Sequence, residues 1–448
     1  MRIMTAMPTT IPSTAISTMG RESRSCRSLS LRIRRAMKCA KPMGVAAKIA
    51  ALLALAGCMK PMAAQQAGTA PVPVEAYANE RILTGAARTD RYLPLLKGKR
   101  VAVVTNQTGM IGRTHLVDSL LALKVDVVKV FTPEHGFRGE ADAGEQVKDE
   151  RDRKTGLPLV SLYGRNKKPS PAQLADVDVL LFDIQDVGVR FYTYTSTLHY
   201  VMEAAAELGR SVVVLDRPNP NGFYVDGPVL DTAFRSFVGM HPVPLVHGMT
   251  IGEYARMING EHWLKGGVQC ELTVVPCSGY DHRAYYQLPI RPSPNLPNMA
   301  AVYLYPALGL FEGTIVSVGR GTDMPFQCIG FPGCTLGEYT FTPRPMPGAK
   351  EPPYLGEACT GLDLSSFGEV YSRAEPRLNL EWLIGMYQAA PDKGRFFNNF
   401  FDKLAGGTAL RQAIIAGKTE AEIRASWQPA LHAYKQMRQA YLLYPEGQ

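Results

Sequence analysis

The chain of 448 residues lacks any apolar run long enough to cross a bilayer. Its most apolar stretch, Ile49 to Ala56, falls well short of the roughly 20 residues that a membrane helix needs. A surplus of one charge sign is missing from most of the chain as well. Residues 1–57 hold ten Lys or Arg against Glu22 alone, which accounts for the whole formal net charge of +9 and leaves residues 58–448 neutral. The body therefore carries no basic footprint for nucleic acid. Motifs for cofactors and familiar nucleophiles are absent too: there is no GxGxxG for a dinucleotide, no GxSxG elbow, no HExxH helix and no CxxC pair for zinc. Gly417-Lys418-Thr419 imitates the end of a phosphate loop, but Gln412 stands where its first glycine belongs, so it reads as a helix stop and a new N-cap. His135 could share a metal with His199 or Asp183 in principle. Hydrogen-bonding imidazoles are the favoured reading, and neither metal nor cofactor is expected.

What is present begins with a leader. Lys38, Lys41 and Lys48 precede the short apolar run, in the order of a secretory signal, and Met37 is the expected start because residues 1–36 are basic and Ser-rich without an apolar run. Leu55-Ala56-Gly57-Cys58 resembles the lipobox at which bacterial lipoproteins are cleaved and lipidated on the cysteine. The expectation is an exported protein, anchored by Cys58 at the periplasmic side of an outer membrane or elsewhere in the cell envelope. Residues 58–79, rich in Ala, Pro and Gln, read as a flexible tether. Five cysteines remain beyond it, Cys270, Cys277, Cys328, Cys334 and Cys359. An odd set cannot pair completely within the chain. Cys270 with Cys277, or Cys328 with Cys334, could close a short loop, and buried thiols are the alternative.

From Lys97 onward, short β-branched runs alternate with amphipathic stretches of helical length. The runs are Arg100 to Thr105, Val125 to Phe131, Val177 to Phe182 and Ser211 to Leu215, with helices expected at Thr114 to Leu123, Pro171 to Ala175 and Tyr192 to Leu208. Near-continuous apolar runs suit strands buried on both faces of a parallel sheet. The fold class is α/β, a Rossmann-like doubly wound, mostly parallel sheet over residues 80–248. A second, smaller domain is expected over 249–448, opened by the capping box Thr250-Ile251-Gly252-Glu253. Within it, Cys270 to Pro276 and Ile315 to Val318 read as strands, Arg291 to Pro306 as a Pro-rich loop, and Pro376 to Tyr444 as mainly helical.

Ligands of an open α/β sheet bind beyond the carboxyl ends of its strands. Those exits are polar: Asn106-Gln107-Thr108-Gly109, then Thr132 to Glu140 with Glu134 and His135, then Asp183 to Arg190 with Gln185, then Asp216 to Gly222 with Arg217 and Asn219. Glu134 leaves a buried strand at the rim, beside His135 and ahead of Gly136, which suits a carboxylic acid kept protonated for general acid work.

The strings VTNQTG, FTPEHGFRGE, LLFDIQDVGVRFYTYTSTL, VLDRPNPNG, DGPVL and FEGTIVSVGRGTDMPFQ occur in order over about residues 80–445. In this they resemble the exo-β-N-acetylmuramidase family, glycoside hydrolases of peptidoglycan recycling. The resemblance implies a Rossmann-like domain, a smaller C-terminal α/β domain, a cleft between them, and release of N-acetylmuramic acid from the non-reducing end of fragments such as MurNAc-GlcNAc. Such hydrolysis ordinarily needs an acid and a second group, which is a nucleophile, a base or an orienting charge. Glu134 is the candidate acid. Glu312 is the candidate second carboxylate, with Asp183, Asp186, Glu140 and Asp323 as alternatives. An internal N-acetyl nucleophile stays open, as does retention against inversion. The lactyl carboxylate of the substrate calls for a cation, and Arg190, Arg217 and Arg320 are candidates. Asn106, Gln107, Gln185 and Asn219 could bind sugar hydroxyls, and Tyr192 and Tyr194, ranked lower, could stack on a pyranose. A lipid-tethered binding protein that holds muropeptides without cleaving them is the rival reading.

Overall fold

A computed structural model describes residues 82–134, 136–137, 150–164 and 166–446. The strands in chain order are β1 (Val101–Thr105), the short pair β2 (Met110–Ile111) and β3 (Thr114–His115), β4 (Val127–Thr132), β5 (Glu150–Arg151), β6 (Pro158–Ser161), β7 (Val179–Asp183), β8 (Ser211–Leu215), the pair β9 (Asp226–Val229) and β10 (Pro244–Val246), β11 (Glu271–Val275), β12 (Cys328–Phe331), β13 (Tyr339–Phe341) and β14 (Cys359–Asp363). Seven of them form one sheet in the order β11-β8-β7-β1-β4-β6-β5. All neighbours in it run parallel except the two-residue edge β5, which is antiparallel to β6. Six parallel strands wound outward in both directions from β1 make the doubly wound arrangement that the apolar runs imply. Every residue of β1 and of β7 is buried, which is why their sequences show no polar alternation.

The helices that matter for the site are α1 (Tyr194–Glu207), α2 (Ile251–Gly260), α3 (Met299–Leu308), α4 (Phe401–Ala405) and α5 (Glu420–Arg438). Thr250 and Glu253 close a reciprocal capping box at the start of α2. The sheet does not stop at residue 248, where the sequence pattern placed the boundary. Strand β11 pairs parallel with β8 from Glu271 to Val275, so α2 and β11 complete the sheet rather than open a second domain. Beyond them lies a smaller region with the antiparallel sheet β12-β14-β13 and mostly helical structure to the C-terminus.

Two expectations in this region fail for local reasons. Residues 299–308 form a helix and not a Pro-rich loop, because Asn298 caps it at the Ala301 amide (3.0 Å) and Pro306 falls close to its end. Pro306 cannot donate to the Val302 carbonyl, and the Asn221 side chain supplies that bond instead at 3.2 Å. Ile315 to Val318 makes no ladder; Ser317 forms a single antiparallel bridge with Gly330 of β12. The five cysteines from Cys270 to Cys359 are buried free thiols, without either short-loop disulfide.

The C-terminal segment returns to the sheet. The Tyr444 hydroxyl donates to Asp216 at 2.5 Å and accepts from the Cys277 amide at 2.7 Å, while Arg424 of α5 pairs with Asp226 of β9 at 2.7 Å. Among the described residues, no helix is long and apolar enough to cross a membrane.

Candidate active site

A cleft of about 580 Å³ opens beyond the carboxyl end of β4. The first half of the chain supplies Glu134, Lys167 and the Phe191 to Tyr194 segment that leads into α1; the second half supplies Glu312, Arg320 and Lys403. Glu134 is half-buried, with the Thr193 hydroxyl donating to its Oε2 at 3.2 Å. Glu312 sits in the single-turn 3-10 helix Gly309–Gly313, and Arg320 Nη2 donates to its Oε1 at 2.6 Å. Only 20% of the Arg320 side chain and 25% of the Glu312 side chain are exposed, so the pair is shielded from bulk water yet open to the cleft.

Electrostatics ties the two carboxylates to one place. Burial works against the Arg320 charge, but Glu312 overrides it, and with Glu134 adding to the effect the guanidinium holds its proton above the usual arginine range. Burial, then Glu312 and, more weakly, Glu134 push the Tyr305 hydroxyl far up, and burial and Glu134 do the same to Tyr194. These phenols are neutral hydrogen-bonding groups at physiological pH. They belong to an aromatic wall in which Tyr192 meets Tyr194 edge-on at 4.8 Å, Tyr305 meets Phe326 at 5.0 Å, and Arg320 lies 5.3 Å above the Phe326 ring. Tyr192 and Tyr194, ranked low on sequence, thus line the cleft.

Most of the other sequence candidates build the floor behind it. Asn106 is fully buried; its amide donates to the Tyr194 hydroxyl at 2.9 Å and its carbonyl oxygen accepts from Thr108. Gln107 donates to the carbonyls of Arg291 and Pro292, holding the loop that brings Ser293 and Asn295 to the cleft. Gln185 is buried and bonded to the carbonyls of Asp186 and Pro218. Asp183 and Arg217 form a buried bidentate pair at 2.6 and 2.9 Å, which takes both away from any substrate. Asn219 donates to the Met249 carbonyl, and its side chain packs against Gly188, whose φ of +77° and contact distance leave no room for a Cβ. Asp323 is on the surface with Arg344.

Arg190 differs most from its expected role. It is fully buried and donates to the carbonyls of Pro228, Val243 and Leu404 at 2.7, 2.8 and 2.9 Å. Burial without a carboxylate partner draws its pKa down to about 10. It is a clamp between the two halves and not a substrate ligand. His135 and Glu140 lie outside the described residues, as does Cys58.

Sequence reasoning missed two cations. Lys168 is held by Glu203 and Glu207, both at 2.7 Å, whereas its neighbour Lys167 turns to the cleft and lies 4.3 Å above the Phe237 ring. Lys403, exposed on α4, faces the same cleft from the other half. Neither makes a salt bridge among the described residues. Among these residues, too, no cluster of three or more His, Cys, Asp or Glu could hold a metal ion. The only signal for Lys167 was a Lys-Lys pair ahead of the Ser170 cap, which carries no motif.

Two carboxylates from different halves of the chain, an arginine bonded to one of them, and two lysines that make no salt bridge among the described residues share one cleft, an arrangement compatible with glycoside hydrolysis. Sequence profiles agree: the N-terminal profile of exo-β-N-acetylmuramidase NamZ matches residues 101–300, and the C-terminal profile matches 303–444. The chain belongs to the NamZ exo-β-N-acetylmuramidase family. The junction of the two NamZ profiles, between residues 300 and 303, falls at the start of α3, beyond the last strand of the sheet. The peptidoglycan β-N-acetylmuramidase NamZ of Bacillus subtilis (strain 168) is 40% identical over 380 residues, spanning 79% of this chain and 89% of that protein. Two crystal structures of DUF1343 family proteins from Bacteroides fragilis NCTC 9343 are similar. One has a TM-score of 0.76 at 48% identity, covering 82% of this chain and 99% of its own; the other has 0.66 at 30%, covering 81% and 99%.

Proposed function

We propose that this member of the NamZ family is an exo-acting glycoside hydrolase that releases terminal β-1,4-linked N-acetylmuramic acid from the non-reducing end of peptidoglycan fragments. The observation that carries the reading is the convergence of Glu134 and Glu312 on one cleft, with Arg320 feeling both carboxylates. Hydrolysis breaks the bond between C1 of the muramic acid and the leaving oxygen. Glu134 gives its proton to that oxygen, and water supplies the hydroxyl at C1 and restores the proton. Glu312, fixed by Arg320 at 2.6 Å, is the second group, set to stabilise the positive charge that develops at C1. The aromatic wall of Tyr192, Tyr194 and Tyr305 forms the side of the sugar site. The lactyl carboxylate is met by Lys167 and Lys403, cleft cations that make no salt bridge among the described residues.

The test is sugar release from an aryl β-N-acetylmuramide, run beside the N-acetylglucosaminide. Glu134→Gln lowers kcat by roughly 100- to 10,000-fold with folding and binding retained. Full activity in that variant would remove Glu134 from the chemistry, and tight muropeptide binding without turnover by the unchanged protein would make it a binding protein. The lipobox-like Leu55 to Cys58 supports export with an N-terminal lipid on Cys58. The mass of the mature N-terminus checks this: a lipidated Cys58 is expected, and an unmodified residue upstream of it would refute the anchor.

A further inference from the structure

A second cavity, of about 270 Å³, lies away from the cleft, where the last turn of α5 meets the loops that follow β8 and β11. Its lining is cationic: Arg283, Lys435 and Arg438, with His282 beside them and Glu446 as its one carboxylate. Arg438 is 97% buried and donates through Nη2 to Glu446, yet its Nε has no partner. His282 is 98% buried; its Nε2 faces Glu253 at 3.1 Å and its Nδ1 has no partner. An orphaned guanidinium nitrogen on a nearly buried arginine that lines a cavity is costly unless a ligand or solvent completes it. Neither Arg283 nor Lys435 forms a salt bridge among the described residues.

Glu446 shows what fits. Its carboxylate takes bonds from Arg438 and from Gln439 Nε2, the latter at 3.2 Å, while half of its side chain stays in solvent. A half-exposed carboxylate is a replaceable occupant when the incoming group is itself a carboxylate, because the exchange keeps the buried Arg438 guanidinium paired. We propose that this cavity is a carboxylate-binding site, distinct from the catalytic cleft, in which Glu446 is a tethered surrogate for the carboxylate of an external ligand. Arg438 anchors the incoming carboxylate, and Lys435 and Arg283 at the mouth supply the charge that draws it in.

Calorimetric titration of the full chain with succinate at constant ionic strength tests this, with inorganic phosphate as the comparison anion. Removing the internal competitor should raise apparent affinity, because a site blocked most of the time binds in proportion to its open fraction. Glu446→Gln is expected to bind succinate about fivefold or more tightly than the unchanged protein. Adding Lys435→Ala or Arg283→Ala to that variant abolishes the gain, and neither residue reaches the catalytic cleft, so muramidase turnover is unchanged. Absence of saturable succinate binding in Glu446→Gln overturns the proposal, as does binding insensitive to both further substitutions. Phosphate binding tenfold tighter than succinate overturns the assignment to a carboxylate. None of the binding readouts depends on the glycosidase reading.

Discussion

Arg217 and Arg320 each lie 2.6 Å from a carboxylate, but they do different work because one pair is closed off and the other faces a cleft. A position next to a strand exit is legible in sequence; the direction in which a guanidinium then turns is not. The placement of Glu134 at a strand exit was legible in the apolar run before it, whereas the arrival of Glu312 at the same cleft depends on packing between the two regions and was implied only by the family resemblance. Lys167 was hidden, since its neighbour Lys168 has the same local sequence signal and is spent on Glu203 and Glu207. The assignment of the lactyl contact can be checked kinetically. Lys167→Ala and Lys403→Ala are each expected to raise KM for the muramide about tenfold, the worth of one charge-assisted contact, with kcat nearly unchanged. Hydrolysis of the N-acetylglucosaminide, which lacks that carboxylate, is unaffected. Unchanged KM in both variants would return the lactyl group to Arg320.

At the scale of elements, the strands β1, β7 and β8 were readable because burial on both faces writes itself as uninterrupted apolar sequence. Helix α3 was not, because the side chain that rescues its Pro306 comes from Asn221, far away in the chain. Helix α1 holds a second feature invisible in sequence, a buried imidazole pair. His199 Nδ1 lies 2.9 Å from His241 Nε2; Glu203 at 3.4 Å, Lys168, Arg235, the Tyr254 hydroxyl and the stacked Trp263 surround the pair. Burial lowers His199 to about 4 and His241 well below the ordinary value. Both groups return to about 6.5 on unfolding. Between those values the unfolded chain binds more protons at these two sites than the native one, so the pair's contribution to stability is complete above about pH 6.5 and falls as the pH drops toward 4. Urea unfolding at pH 7 and pH 5 is expected to show this loss, and a smaller one in His199→Gln. An equal loss in that variant would assign the pH dependence to other groups.

For the whole molecule, the sequence showed that two regions exist but misplaced their junction, because periodicity weakens after Met249 while hydrogen bonding to the sheet continues through Val275. Nor could it show how firmly the regions are joined, since that depends on pairs far apart in the chain: Arg190 with Leu404, Arg424 with Asp226, and Tyr444 with Asp216. The last joins the C-terminal segment to the end of β8. Asp216 is wholly buried, its carboxyl lifted to about 6 by desolvation even though the Tyr444 hydroxyl and Thr250 donate to it. Without the hydroxyl, Asp216 loses a donor and the Cys277 amide loses its acceptor. Tyr444→Phe should therefore cost about 2–4 kcal/mol, two buried hydrogen bonds with groups left unpaired. Because the segment spans both regions, that loss is expected to lower the midpoint of one shared unfolding transition in calorimetry. Two separate transitions in the unchanged protein, with only one moved by the substitution, would show instead that the halves fold independently and that the cleft between them is held by a weaker interface.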